Sequence, residues 1–141
     1  MPERPIIADT GPLVAFLLDR EPRHFWAVQQ FKSLPAPFFT CEPVLTETFH
    51  LLRHAKQGAA RFFDLLDHDL LVVDFDLMAE TKPLERLIRK YEDLPMSLAD
   101  ACLVRMSETH PTAVVLTLDQ HFKIYRKHGR QTIAAIMPEE Q

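Results

Sequence analysis

The chain has 141 residues, 47% of them hydrophobic and 26% charged. That length and balance predict one folded domain with a substantial core, and exclude a disordered chain or a small disulfide scaffold. Sixteen Lys and Arg against twenty Asp and Glu give a net charge of −4, the opposite of the basic footprint that a nucleic-acid binder usually carries. No apolar run approaches the ~18 residues of a membrane span. The first residues lack the apolar core of a signal peptide, so a cytoplasmic location is expected. Cys41 and Cys102 lie in apolar contexts and read as reduced, packed thiols.

Pro5-Ile6-Ile7-Ala8 is a short apolar run that ends abruptly in Asp9-Thr10-Gly11-Pro12. Such a run reads as a buried parallel strand whose carboxyl end delivers one carboxylate to a surface crevice. Pro12 suits the first turn of a helix that continues through Leu18. His24 to Ser33 reads as a second helix with Phe25, Trp26 and Phe31 as apolar surface, broken by Pro35 and Pro37. Those rings read as core or interface packing in preference to base stacking. Phe38 to Cys41 is a strand candidate. Pro43 opens a helix to about Lys56 that carries Glu47 at the edge of its apolar face.

Beyond Gly58 a short helix covers Ala59 to Leu66, and Asp69 to Asp74 has another buried-strand pattern. A helix is expected from about Leu77 to Tyr91, with Pro83 in its first turns or at its true start. Ser97 begins a helix through about Glu108 that carries Asp100. Thr112 to Thr117 is the clearest later strand, followed by Asp119 and a helix expected from about Gln120 to Lys127. Thr132 to Ile136 closes as a last strand, and Met137 to Gln141 is a tail. Strands alternate with helices throughout, and no hairpin signal such as Asn-Gly occurs. The expected fold is therefore a single three-layer α/β domain over residues 1–141, core about 5–136, with a mostly parallel sheet.

Four acids fall where such a sheet binds ligands, outside the carboxyl ends of its strands. Asp9 ends the first strand, Asp119 follows the fourth, and Glu47 and Asp100 lie early in helices that start at the same edge. Each has an ordinary reading alone, as a turn acid, a helix-terminus acid or a cap. Together they make a cluster whose mutual repulsion calls for a cation. Hard oxygen ligands suit Mg²⁺ or Mn²⁺, and two such ions can assist hydrolysis of a phosphodiester. Setting the four acids aside balances cations against anions at sixteen each, and His121 to Arg130 carries four Lys or Arg and no acid. That stretch reads either as a solvated terminal helix or as a face for a phosphate backbone.

Ile6-Ile-Ala-Asp9-Thr-Gly-Pro-Leu, Val44-Leu-Thr-Glu47, Leu94-Pro-Met-Ser-Leu-Ala-Asp100-Ala and Leu116-Thr-Leu-Asp119-Gln-His-Phe122 resemble the PIN-domain ribonucleases, and among them the small VapC-type toxins. The resemblance runs from about Ile6 to Ile136. It implies a five-stranded sheet in the order 3-2-1-4-5 and a metal-dependent endoribonuclease. Asp9, Glu47, Asp100 and Asp119 would ligate Mg²⁺ or Mn²⁺ directly or through water, with Thr10 and Thr117 flanking them. It further implies an RNA substrate, a homodimer and a small antitoxin partner.

Other features have plainer readings. Asp74 and Asp76 read as solvated loop acids, as does Asp93, and His50 and His54 as surface or half-buried imidazoles lacking a third ligand. Two other functions stay open: a PIN-like binding scaffold without turnover, and phosphoryl chemistry at an aspartate. The second is disfavoured because Gly11 stands where a phosphatase would place its second acid, and no lysine ends the last strand.

Overall fold

The computed structural model describes residues 4–139; the last two residues of the expected tail lie outside them. The elements run β1 (Ile6–Ala8), α1 (Thr10–Leu17), α2 (His24–Ser33), β2 (Phe38–Thr40), α3 (Glu42–Leu52), α4 (Gly58–Asp67), β3 (Leu71–Val73), α5 (Thr81–Lys90), α6 (Leu98–Thr109) and β4 (Val114–Leu116). A 3₁₀ turn (Gln120–Lys123), β5 (Arg126–Lys127), β6 (Gln131–Thr132) and β7 (Ala135–Ile136) complete the chain. The main sheet has the order β3-β2-β1-β4-β7, parallel at every pairing. This is the expected three-layer α/β fold, with the order 3-2-1-4-5 realised by β7 as the fifth strand.

The strands are short but their positions are strongly specified. β1, β2 and β4 are buried along their whole length, so parallel pairing in the interior satisfies their backbone while helices cover their side chains. Ile6, Ile7 and Ala8 pair with Val114, Val115 and Leu116, and the Asp9 N–H continues the ladder to the Leu116 carbonyl at 3.0 Å. The Thr40 hydroxyl donates to the Ala8 carbonyl at 2.8 Å. The carboxyl ends of β1, β2 and β4 are therefore locked side by side, and that edge carries the acids. Among the described residues, no helix is long and apolar enough to cross a membrane.

Helix ends follow local chemistry. Asp9 and Ser97 cap α1 and α6 with their side chains. Pro83 occupies the first turn of α5, where its missing N–H costs nothing. That helix begins at Thr81, four residues later than expected, because residues 77–80 form a separate turn. α3 stops at Leu52 instead of about Lys56, leaving His54 in the turn that follows.

The largest departure lies after Asp119. The expected helix from Gln120 to Lys127 is one 3₁₀ turn, and β5 and β6 form an antiparallel hairpin, with Arg126 opposite Thr132 and Lys127 opposite Gln131. The expectation of no hairpin fails because the turn is built on His128-Gly129, with φ of 51° and 80°. Left-handed φ at two successive residues serves a tight turn as Asn-Gly would. Thr132 accordingly leaves the fifth strand, which begins only at Ala135. Phe31 packs against Phe16 and Phe38 as expected, whereas Phe25 is 76% exposed and outside the core.

Gly58 opens α4 where a Cβ would run into the Leu52 carbonyl oxygen. Gly58→Ala is expected to cost about 1–3 kcal/mol through this overpacking, read as a lower midpoint in denaturant. An unchanged midpoint would show that the α3–α4 turn yields freely.

Candidate active site

Asp9 is delivered by β1 and caps α1. It is 7% exposed, and burying a carboxylate is costly unless its oxygens are hydrogen-bonded. Both oxygens are. Oδ1 accepts from the Thr10 N–H at 2.7 Å and Oδ2 from the Thr117 hydroxyl at 2.6 Å. Thr117 Oγ1 in turn accepts from the Asp119 N–H at 2.9 Å, so one buried hydroxyl ties the first acid to the backbone of the last. This follows from the register: β1 beside β4 puts Asp9 level with Thr117.

Asp119 is partly buried and caps the 3₁₀ turn, its Oδ1 accepting from the His121 N–H at 2.9 Å. Asp100, one turn into α6, has its N–H on the Ser97 hydroxyl at 3.0 Å, and its Oδ2 accepts from the Tyr125 hydroxyl at 3.0 Å. Glu47, on α3, is exposed. The four acids, with Thr10, Gly11, Leu51, Ser97 and Leu118, line one open cleft of about 450 Å³. Capping and convergence are thus compatible: three of the acids occupy helix starts because the strands' carboxyl ends and the helices' amino ends meet at this edge.

Electrostatics separate an inner trio from Glu47. Burial pushes the Asp9 carboxyl up to about 6, with the charges of Asp100 and Asp119 adding and the Thr117 and Thr10 hydrogen bonds opposing. Asp100 is raised as well, by burial first and by Asp119, against the Tyr125 and Ser97 hydrogen bonds. Glu47 is not among the charges that raise either. Among the described residues, no three His, Cys, Asp or Glu side chains form a ready-made metal cage. Mg²⁺ does not require one, since it keeps several waters and is usually bound through one or two carboxylates. The donor set here is all hard oxygen. The Thr10 hydroxyl is moreover buried beside Asp9 with no protein hydrogen-bond partner, an atom that an ion's water shell could satisfy. On those grounds the residues fit a small divalent cation.

The remaining sequence candidates lie elsewhere. Asp74, Asp76 and Asp93 are exposed, although Asp76 lines a larger neighbouring cleft, about 730 Å³, that shares Glu47 with the acidic one. His50 and His54 are exposed. Two of the four cations of the basic stretch are spent on carbonyls: one Arg126 nitrogen, Nη1, donates to Lys123, Ile124 and Tyr125, and Lys127 to Pro111. Cys41 and Cys102 are buried and free. Hydrogen bonding to Cys102, then burial, pushes the Cys41 thiol up, so it is inert as a nucleophile. Sequence reasoning missed Tyr125, because its stretch read either as a solvated terminal helix or as a face for a phosphate backbone, and neither reading turns an aromatic inward.

The folded chain holds the Asp9 proton more tightly than an unfolded chain with the ordinary value of 3.8. Ionising Asp9 therefore destabilises the metal-free fold. The penalty is absent below pH 3.8, grows between there and about 6, and reaches up to about 3 kcal/mol above it. Asp9→Asn should accordingly melt higher than the parent at pH 8 in chelator, an advantage that fades towards pH 4. A variant that melts lower at pH 8 would contradict this.

No protein-family model matches the chain. It is 28% identical to Ribonuclease VapC26 of Mycobacterium tuberculosis over 129 residues, 88% of this chain and 94% of that protein. The crystal structure of Mycobacterium tuberculosis VapC20, a Sarcin-Ricin loop cleaving toxin, superposes with a TM-score of 0.70 at 23% identity. That match covers 82% of this chain and 90% of VapC20. The chain is thus similar in sequence to one VapC protein and shares its fold with another.

Proposed function

We propose that the chain is a Mg²⁺- or Mn²⁺-dependent endoribonuclease that hydrolyses RNA phosphodiester bonds, acting as the toxin of a toxin–antitoxin pair. The observation that carries this reading is the convergence of Asp9, Glu47, Asp100 and Asp119, from four separate elements, on one cleft. The relation to a protein named a ribonuclease and the fold shared with a toxin that cleaves the Sarcin-Ricin loop agree with it. The same reading carries a homodimer, a small inhibitory protein partner and a single catalytic domain.

In this mechanism Asp9, Asp100 and Asp119 would hold the ion directly or through water, with the exposed Glu47 as the fourth acid of the cleft. A bound divalent ion supplies Lewis-acid activation of water and charge stabilisation at the leaving oxygen. The chain's own work is placement. Thr117 fixes the Asp9 carboxylate by its hydroxyl and the Asp119 backbone by its lone pair. The Thr10 N–H, at the start of α1, adds a fixed partial positive charge that keeps Asp9 competent to ionise. The Thr10 hydroxyl is left to order water beside Asp9. The open cleft admits an extended backbone in preference to an enclosed mononucleotide, and the acids repel phosphate until a cation neutralises them.

Labelled mixed RNA should be cut by the parent chain with Mg²⁺ or Mn²⁺, spared in chelator, and spared by Asp9→Asn and Asp100→Asn. Full activity in either variant would sink the assignment. Divalent ion should also raise the melting temperature of the parent by mass action, about 2.7 kcal/mol at a hundredfold excess over Kd. The shift should be lost in Asp9→Asn. Neither cutting nor ion binding by the parent would leave a binding scaffold as the better reading.

A further inference from the structure

Tyr125 has no place in the reading above, yet it is wholly buried and among the largest fully buried side chains of the protein. A phenol placed in a core keeps its body in apolar contact and must find a partner for its hydroxyl. The body is accounted for by edge-on packing against Tyr91 and Phe122, ring centres 5.0 and 5.2 Å away. The hydroxyl reaches across to α6 and donates to Asp100 Oδ2 at 3.0 Å.

The segment that carries it is anchored on several sides. The Tyr125 N–H donates to His121 at 2.9 Å, and the next N–H, of Arg126, donates to the Tyr91 hydroxyl at 2.9 Å. Farther along, the His128 N–H donates to Glu108 Oε2 at 2.6 Å, and Lys90 Nζ reaches the Gly129 carbonyl at 3.1 Å. Glu108 is itself held by Arg105, which also pairs with Glu80 at 2.7 Å. The hydroxyl therefore sits on a frame fixed to α5 and α6. The terminal torsion of an aspartate is broad and roughly two-fold, so a half-buried carboxylate gains a single orientation only when one oxygen is pinned. Tyr125 pins Oδ2 from the α5 and α6 side, while hydrogen bonds from Ser97 act on the same carboxylate from the start of α6.

We infer that Tyr125 is a positioning residue of the proposed ion site, its hydroxyl fixing the orientation in which Asp100 meets a divalent cation. The inference rests on the metal-site reading above, and its test keeps the two separable. Outer partners of metal-ligating groups are typically worth about 10–100-fold in metal affinity, so a loss near tenfold is expected for removing the hydroxyl alone.

Mn²⁺ is titrated calorimetrically into the metal-free parent, Tyr125→Phe, Asp100→Asn and the double variant, with melting temperatures in parallel. Tyr125→Phe keeps the ring and should bind about tenfold more weakly, while the double variant should bind no more weakly than Asp100→Asn alone. Parental affinity in Tyr125→Phe with a loss in Asp100→Asn would overturn the positioning role and spare the site. Equal losses from Tyr125→Phe in both backgrounds would show a merely structural role and likewise overturn it. Parental affinity in Asp100→Asn, or no binding by the parent, would remove the site and the inference together.

A second readout does not depend on the phenylalanine variant folding. The chain has two tyrosines, so 3-fluorotyrosine labelling gives two fluorine resonances, assigned with Tyr91→Phe. The Tyr125 resonance should move on adding Mg²⁺ to the labelled parent and stay still in Asp100→Asn. A Tyr125 signal unmoved at saturating Mg²⁺ in the parent would overturn the proposal.

Discussion

The cleft is arranged around one buried carboxylate and the hydrogen bonds that it requires. Asp9 lies at the end of the central strand, and its burial would be prohibitive without donors on both oxygens. Those donors come from the helix that Asp9 itself starts and from the strand beside it. The requirement therefore couples three things: the parallel register of β1 with β4, the starting point of α1, and the identity of residue 117 as a hydroxyl. A shift of register by one residue would turn Thr117 to the other side of the sheet and leave the acid without its shorter bond.

From that point the cleft is assembled by elements that need not know of one another. β1 and β4 bring Asp9 and Asp119 to the same edge, and α6 adds Asp100 through its Ser97 cap. The hairpin of β5 and β6 lies beyond the cleft lining, held to α6 through Glu108 and to α5 through Lys90. Burial, with the neighbouring acids adding, raises the proton affinity of Asp9 and Asp100, a frustration that a folded chain retains only where the local charge has a use. On the proposed reading that use is a divalent cation. The overall net charge of −4 is then a poor guide to function, because part of it is concentrated where a cation would cancel it.

The 3₁₀ turn and hairpin after Asp119 show how local and tertiary terms compete. Residues 120–127 have enough apolar and basic side chains for an amphipathic helix, and the propensity difference between helix and turn is a few tenths of a kcal/mol per residue. Burying Phe122 and Tyr125 outweighs that difference. The two rings reach the core from a tight turn followed by an extended segment, with Arg126 turned outward to cap the carbonyls the turn leaves free. Local propensity had no means of registering this, since Tyr91 and Asp100, which meet the Tyr125 ring and hydroxyl, lie more than twenty residues away in the chain.

The amino-acid sequence by itself determined the alternation of strand and helix, the parallel sheet, the chain positions at which acids meet strand ends, and the likeness to VapC-type proteins. These follow from short-range signals: apolar runs too short and too dry for surface strands, prolines and serines at helix starts, and acids at the junctions. Tertiary structure alone decided which groups those acids touch. Asp9 is buried and doubly bonded while Glu47 remains exposed, although the sequence presents both as single acids at the edge of an apolar run. It also decided the hairpin, the shortened last strand and the reach of Tyr125 to Asp100. Burial, register and hydrogen-bond pairing are relations between residues distant in the chain, and no periodicity or propensity along the chain encodes them.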